Sequence, residues 1–261
     1  MKEKLYVLVV VISIGVILSG CKKEWSTTRY IDDKQINGTI IVSSLNTGKE
    51  YIINKERAEE RFLPASTFKI PNTLIALQAG VVKDEYEVIK WDGKDKGISE
   101  WNKDQTLKTA FSASCVWFYQ ELAKEVGLEK YADYLNDINY GNKETGSKVD
   151  TFWLDGDIRI SAKEQVKFLR NVYEEKYDIE KVHYQVLKNI MVEESTPEYI
   201  LSGKTGWAQR VTPQIGWYVG YLETHEDTWF FACNLNIIQY EDEKYRKELV
   251  LRYLKDLQLI E

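Results

Sequence analysis

Histidine is scarce in this 261-residue chain. His183 and His225 are the only two, and they stand 42 positions apart. Neither belongs to a Ser-His-Asp arrangement, and no His-Glu-x-x-His helix is present, so a triad hydrolase and a zinc protease both lack their groups. No other metal-ligand pattern stands out, and both histidines read as surface residues. Excess positive charge is missing too. Thirty-five Lys and Arg stand against 41 Asp and Glu, a net charge of −6, which argues against a dedicated nucleic-acid binder. There is no internal repeat and no low-complexity tract, and nothing calls for an obligate protein partner.

A long apolar run is also lacking. The one candidate, Leu5 to Leu18, falls short of the ~20 residues a spanning helix needs. Lys2 and Lys4 precede it and Ser19-Gly20-Cys21 follow, the layout of an export signal. Leu18-Ser19-Gly20-Cys21 resembles the bacterial lipobox, in which the Cys becomes the lipidated first residue. The expectation is a signal peptide over 1–20, a lipidated Cys21 with a polar tether over 21–37, and one domain over 38–261 working outside the cytoplasm, at the cell surface or in a periplasm. An uncleaved N-terminal anchor is the alternative. Cysteine totals three. With Cys21 lipidated, Cys115 and Cys233 remain. An exported protein can pair them, but their apolar neighbours favour two buried free thiols.

What is present in quantity is apolar residue, 44% of the chain with 13% aromatics, enough for a sizeable core. Thr39–Leu45 and Glu50–Ile53 read as strands around the turn Asn46-Thr47-Gly48. Helical spacing runs from Ser66 to Val82, with Pro71 tolerable only near its start. Further helices are expected in the middle, Trp117–Val126 and Ser161–Tyr173 the clearest. Tyr199–Ser202, Gln214–Glu223 and Thr228–Ile237 then read as strands, and Lys244–Leu257 as an amphipathic helix. In the second of these strands Ile215, Trp217, Val219 and Tyr221 share a face, with Gly216 and Gly220 opposite, where another element can approach. Strands early, helices in the middle and strands late predict an α+β fold, its terminal strands joined in one antiparallel sheet flanked by helices.

The chemistry concentrates in Ser66-Thr67-Phe68-Lys69. At the opening of a helix, Lys69 falls on the face of Ser66 and its amine can reach the hydroxyl, while free backbone N–H groups can receive an oxyanion. Ser-x-x-Lys alone is weak, since Ser19–Lys22 matches it inside the leader. Other boxes strengthen it. Lys204-Thr205-Gly206 falls on a strand, where it can offer a cation and a hydroxyl to a carboxylate. Ser114-Cys115-Val116 lies between, at the head of a helical segment, and Tyr140-Gly141-Asn142 and Trp153-Leu154 follow. Taken singly, the last two are a tight turn and a core pair.

In this order the boxes resemble the class D, oxacillinase-type serine β-lactamases. The resemblance extends to Phe62-Leu63-Pro64-Ala65 and Ile98-Ser99-Glu100-Trp101-Asn102, and covers most of the chain after about residue 38. Ser-Cys-Val in place of Ser-Asp-Asn separates it from class A. The resemblance implies the serine β-lactamase and penicillin-binding transpeptidase fold, and a hydrolase of β-lactams, penicillins first. Ser66 would be the nucleophile, and Lys69 the base, carrying CO₂ as N6-carboxylysine with no other cofactor. Ser114 would relay a proton. Lys204, Thr205, Gly206 and Arg246 would hold the substrate carboxylate, with the backbone N–H groups of Ser66 and Trp207 as oxyanion hole. Trp153 would donate to the carbamate while Val116 and Leu154 shield it. A solvated helix start is the alternative reading of Arg246, and Tyr140 and Asn142 read as structural. Trp101 fits the cleft wall or the core equally. A β-lactam sensor that is acylated without turnover and a penicillin-binding D,D-peptidase share several boxes. Val116 and the single short leader speak against the first, and Trp153-Leu154 against the second.

Overall fold

A computed structural model describes residues 26–261; the leader, the lipobox and Cys21 lie outside them. The expected sheet has six strands: β1 (Gly38–Ser44), β2 (Glu50–Ile53), β3 (Val192–Ser195), β4 (Tyr199–Ala208), β5 (Gln214–Thr224) and β6 (Thr228–Ile237). Their spatial order is β2-β1-β6-β5-β4-β3, and every neighbouring pair is antiparallel. Gly38 pairs with Leu235 and Ser44 with Trp229, so the two ends of the domain close one sheet.

Both faces of that sheet are covered. Ile41, Ile215, Trp217, Val219 and Tyr221 point into the larger core, beneath α2 (Lys69–Gln78), α3 (Val116–Val126) and α4 (Ala162–Tyr173). Ile40, Val42, Tyr218, Leu222 and Phe231 point the other way, toward Leu249, Val250, Tyr253 and Leu254 of α5 (Tyr245–Asp256). Period-two alternation along the central strands thus feeds two layers of helix. Gly220 lies where β4 and β5 pack tightest: a methyl there would stand 2.0 Å from the Ser202 carbonyl oxygen.

Two expectations change. The polar tether over 21–37 is in part a helix, α1 (Ser26–Asp33), which packs on α5 through Ile31. Asp256 of α5 accepts hydrogen bonds from the Thr27 backbone N–H (2.8 Å) and hydroxyl (2.7 Å), satisfying a first-turn donor from 229 residues away. The helix read from Ser66 to Val82 is a 3₁₀ turn over Ala65–Phe68 followed by α2, which stops at Gln78 with Gly80 at φ +71°. Pro71 sits in the first turn of α2, where its missing N–H has no partner to lose. The KTG box extends the strand read over 199–202 without a break to Ala208. Among the described residues, no helix is long and apolar enough to cross a membrane. Cys115 and Cys233 are both buried and both free.

Candidate active site

The turn carrying Ser66 is braced at each residue before it. The Leu63 carbonyl accepts from the indole N–H of buried Trp217 (2.8 Å), and the Pro64 carbonyl from the Thr67 hydroxyl (2.7 Å). The Ala65 N–H donates to the Trp153 carbonyl (3.0 Å). Ala65 itself is left-handed at φ +48°, a conformation costing about 1–3 kcal/mol for a residue with a side chain. The strain sits one residue before the hydroxyl that lines the cleft, in a turn that its bracing holds in place.

Lys69 opens α2 directly behind. Its Nζ lies 3.2 Å from Ser66 Oγ, is wholly buried, and sits 5.0 Å from the Tyr119 ring centre. Burial first, and the Lys204 cation second, hold this amine well below the ordinary lysine range. A lysine so placed favours its neutral form, able to accept a proton or to react with an electrophile. Trp153 leaves a buried donor unsatisfied in the same region of the fold. Its ring stacks on Phe68 at 5.5 Å, and its buried Nε1–H has no hydrogen-bond partner.

Ser114 is delivered by a helix end. After the short helix Leu107–Ser112, the Cys115 N–H returns to the Ala110 carbonyl (2.8 Å) and the Ser114 N–H to Phe111 (3.1 Å), leaving Ser114 left-handed at φ +52°. This is a Schellman stop with serine where glycine is usual. Val116 then begins α3.

β4 forms the opposite wall. Gly206 is required by close approach, since a methyl there would lie 2.9 Å from the Pro64 carbonyl oxygen and 3.0 Å from the Thr67 methyl. Lys204 is almost fully buried, and its Nζ donates to the Thr205 carbonyl (3.1 Å). Burial brings its pKa down to about 8, against an upward pull from Glu193. Arg246 is no solvated helix start: it is 9% exposed. From α5 its chain crosses over Gly216, where a methyl would meet Arg246 Cγ at 2.8 Å, and its Nη1 donates to the Gly206 carbonyl (2.9 Å). Glu243 pairs with the guanidinium, which lies 5.7 Å from the Trp207 ring. Burial lowers its pKa to about 10.

These elements enclose a cleft of about 440 Å³ that brings Ser66, Ser114, Val116, Leu154, Thr205, Gly206, Trp207 and Arg246 together. Lys69 and Trp153 lie buried beside it, and Lys204 faces an adjoining cavity that shares Thr205. Trp101 takes both of the roles left open, lining the cleft and tying its Nε1–H to the Ala113 carbonyl. Tyr140 is buried and Asn142 fastens the turn, its side chain bonded to the Arg159 N–H and the Asp157 carbonyl. A larger cavity of about 620 Å³, lined by Arg61, Glu164 and Arg170 among others, shares no residue with the cleft. Among the described residues, no cluster of His, Cys, Asp and Glu could hold a metal ion.

Sequence reasoning missed Ile98, Gln209 and Arg210 as cleft-lining residues. Arg210 pairs with Asp155, joining the loop after β4 to the one after Trp153-Leu154. Both charges stand in polar loop sequence and read as solvated surface, so only the fold relates them.

Comparisons with known proteins supply the family. The family described as the penicillin binding protein transpeptidase domain matches residues 38–255. Beta-lactamase OXA-48 of Klebsiella pneumoniae is 40% identical over 242 residues, 91% of either chain. Beta-lactamase OXA-10 of Pseudomonas aeruginosa is 35% identical, covering 89% of this chain and 88% of its own. Among solved structures, the class D β-lactamase YbXI from Nostoc superposes with a TM-score of 0.89 at 39% identity, over 91% of this chain and 100% of that one. FUS-1 (OXA-85) from Fusobacterium nucleatum gives 0.88 at 40%, over 90% and 98%. With a serine lining a transpeptidase-fold cleft, a buried lysine behind it and relatives of this similarity along nearly its whole described length, the chain belongs to the class D serine β-lactamases.

Proposed function

We propose that this enzyme hydrolyses β-lactam antibiotics, penicillins first, through an acyl-enzyme on Ser66, and so confers resistance to them. The observation that carries the reading is the wholly buried Lys69 amine 3.2 Å from a cleft-lining hydroxyl. In the acylation step Ser66 Oγ adds to the lactam carbonyl carbon, the C–N bond opens, and the ring nitrogen takes a proton relayed by Ser114. The backbone N–H groups of Ser66 and Trp207 hold the developing oxyanion, a contribution of about 10²–10³ in rate per donor. Thr205, Arg246 and the Lys204 cation hold the substrate carboxylate. Water then replaces Ser66 on the acyl carbon, returning the free serine.

The surroundings of Lys69 suit a carbamylated side chain. Its amine favours the neutral form that CO₂ requires, the buried Trp153 Nε1–H is an unspent donor, and Val116 and Leu154 offer apolar cover. In that form the lysine would supply a carboxylate-like base for the serine and for the deacylating water. Restored activity on adding bicarbonate to acid-degassed enzyme supports this; an enzyme indifferent to bicarbonate refutes it.

Export and anchoring through Cys21 complete the proposal, with the membrane as the partner of that lipid. Only residues 22–25 would separate the lipid from α1, a reach of roughly 15 Å at about 3.5 Å per residue. Cys21→Ser is expected to move the protein from the membrane to the soluble fraction; unchanged partitioning would discard the lipobox. For the activity itself, the purified protein should open a chromogenic cephalosporin over many turnovers, and Ser66→Ala should not. A single stoichiometric burst would instead indicate a sensor.

A further inference from the structure

Thr67 stands between the nucleophile and the catalytic lysine, and its two branches are used differently. The hydroxyl donates to the Pro64 carbonyl at 2.7 Å and accepts from the Gln165 side-chain Nε2 at 2.9 Å, all of it buried. The methyl lies against Gly206, 3.0 Å from where a Cβ on that glycine would be, with the Pro64 oxygen at 2.9 Å from the same point. Gln165 is fully buried on α4, within the apolar stripe of Ala162, Val166, Leu169 and Val172. A buried amide in such a stripe costs stability unless it is bonded, and its Nε2 donates to the Thr67 hydroxyl. The buried Tyr140 hydroxyl lies beside both side chains of this pair.

We infer that Gln165 and Thr67 are positioning residues that set the gap between the Ser66 turn and the Lys204–Trp207 segment of β4. The Gln165 amide fixes the rotamer of Thr67, with its hydroxyl toward α4 and Pro64 and its methyl toward β4. The methyl is then a spacer of fixed thickness between the turn and the strand. That gap separates the N–H groups of Ser66 and Trp207, the two proposed oxyanion donors, so the inference rests on the acyl-enzyme reading of Ser66. Neither residue touches substrate; both act through the width of the site. Reacting groups tolerate little displacement, and about 1 Å can cost on the order of 10²-fold in rate.

The test is a double-mutant cycle on the acylation rate constant and on the noncovalent Kd, both taken from the saturation curve for rapid labelling by a fluorescent penicillin. Gln165→Met and Thr67→Val each remove one end of the hydrogen bond at nearly constant volume. Each should slow acylation about tenfold or more while Kd changes less than threefold, and the double variant should be no slower than the worse single one. Thr67→Ser keeps the hydroxyl but loses the spacer, so it should be slow too, with a melting temperature near that of the parent. Unchanged acylation in Thr67→Val, or losses that multiply independently in the double variant, would overturn the inference. If Gln165→Met does not fold, the two Thr67 variants carry the same decision. Absence of labelling in the unsubstituted enzyme would refute the acyl-enzyme reading instead, a result distinct from these.

Discussion

At the scale of single residues, the cost of burying Lys69 has a measurable sign. Its pKa lies well below the ordinary lysine value. Between the folded and unfolded values, the unfolded chain binds a proton that the folded one refuses, so stability rises with pH across that window. Below the folded value the penalty is present in full; above the unfolded value it is gone. Lys69→Met should therefore be more stable than the parent in CO₂-free buffer while losing activity. The gain in Tm should be at least about 2–4 °C, the shift that 1 kcal/mol gives a domain of this size. Calorimetry at pH 6 and pH 9 should show the larger gain at pH 6, and a destabilised variant at both would refute the burial argument. Lys204 predicts a second pH effect. With its pKa near 8, the wall behind Thr205 loses a cation as pH rises from 7 to 9, and KM for penicillins should rise several-fold across that range if Lys204 holds the substrate carboxylate. A flat KM would remove Lys204 from carboxylate binding. Ser66 and Lys69 were legible because a reactive pair needs fixed spacing. Gln165 was not legible at all: a single polar residue in the stripe of a helix does not name the partner that makes it matter.

At the scale of elements, the strands could be read because alternation and turn residues are local signals. The start of α2 could not, since a braced 3₁₀ turn and a continuous helix leave nearly the same apolar spacing. α1 escaped for a different reason: it buries only Thr27 and Ile31 and is capped from α5. Its helicity is a property of the tertiary structure, not of its own eight residues. Asp256→Ala should remove that cap, lowering stability by about 0.5–2 kcal/mol with kcat unchanged, as a urea titration with activity assays would show. No loss of stability would mean that α1 is held by its apolar contacts alone. β4 gives the opposite case, an element whose position is the function. Gly206→Ala forces a methyl toward the Pro64 carbonyl and Thr67. The strand must back away from Ser66, and acylation should fall about 10²-fold. Acylation within threefold of the parent would show that the gap between strand and turn is not critical.

For the whole molecule, the sheet explains how distant segments build one site. β1 pairs with β6, and β5 and β4 continue the same sheet as the two interior strands against which the Ser66 turn rests. Arg246 arrives from the opposite layer by crossing Gly216. The antiparallel joining of the two chain ends was legible from the order of elements. The Arg210–Asp155 pair and the path of Arg246 were not, because both depend on how loops and layers meet in space. One site, assembled across the sheet, should act as one catalyst, and its covalent state can be followed directly. Intact-mass measurement on rapidly quenched enzyme and penicillin, with peptide mapping, should show one antibiotic mass on the peptide holding Ser66, decaying as hydrolysed product accumulates in excess over enzyme. An adduct on another residue, or one that persists after a single equivalent, would contradict the account.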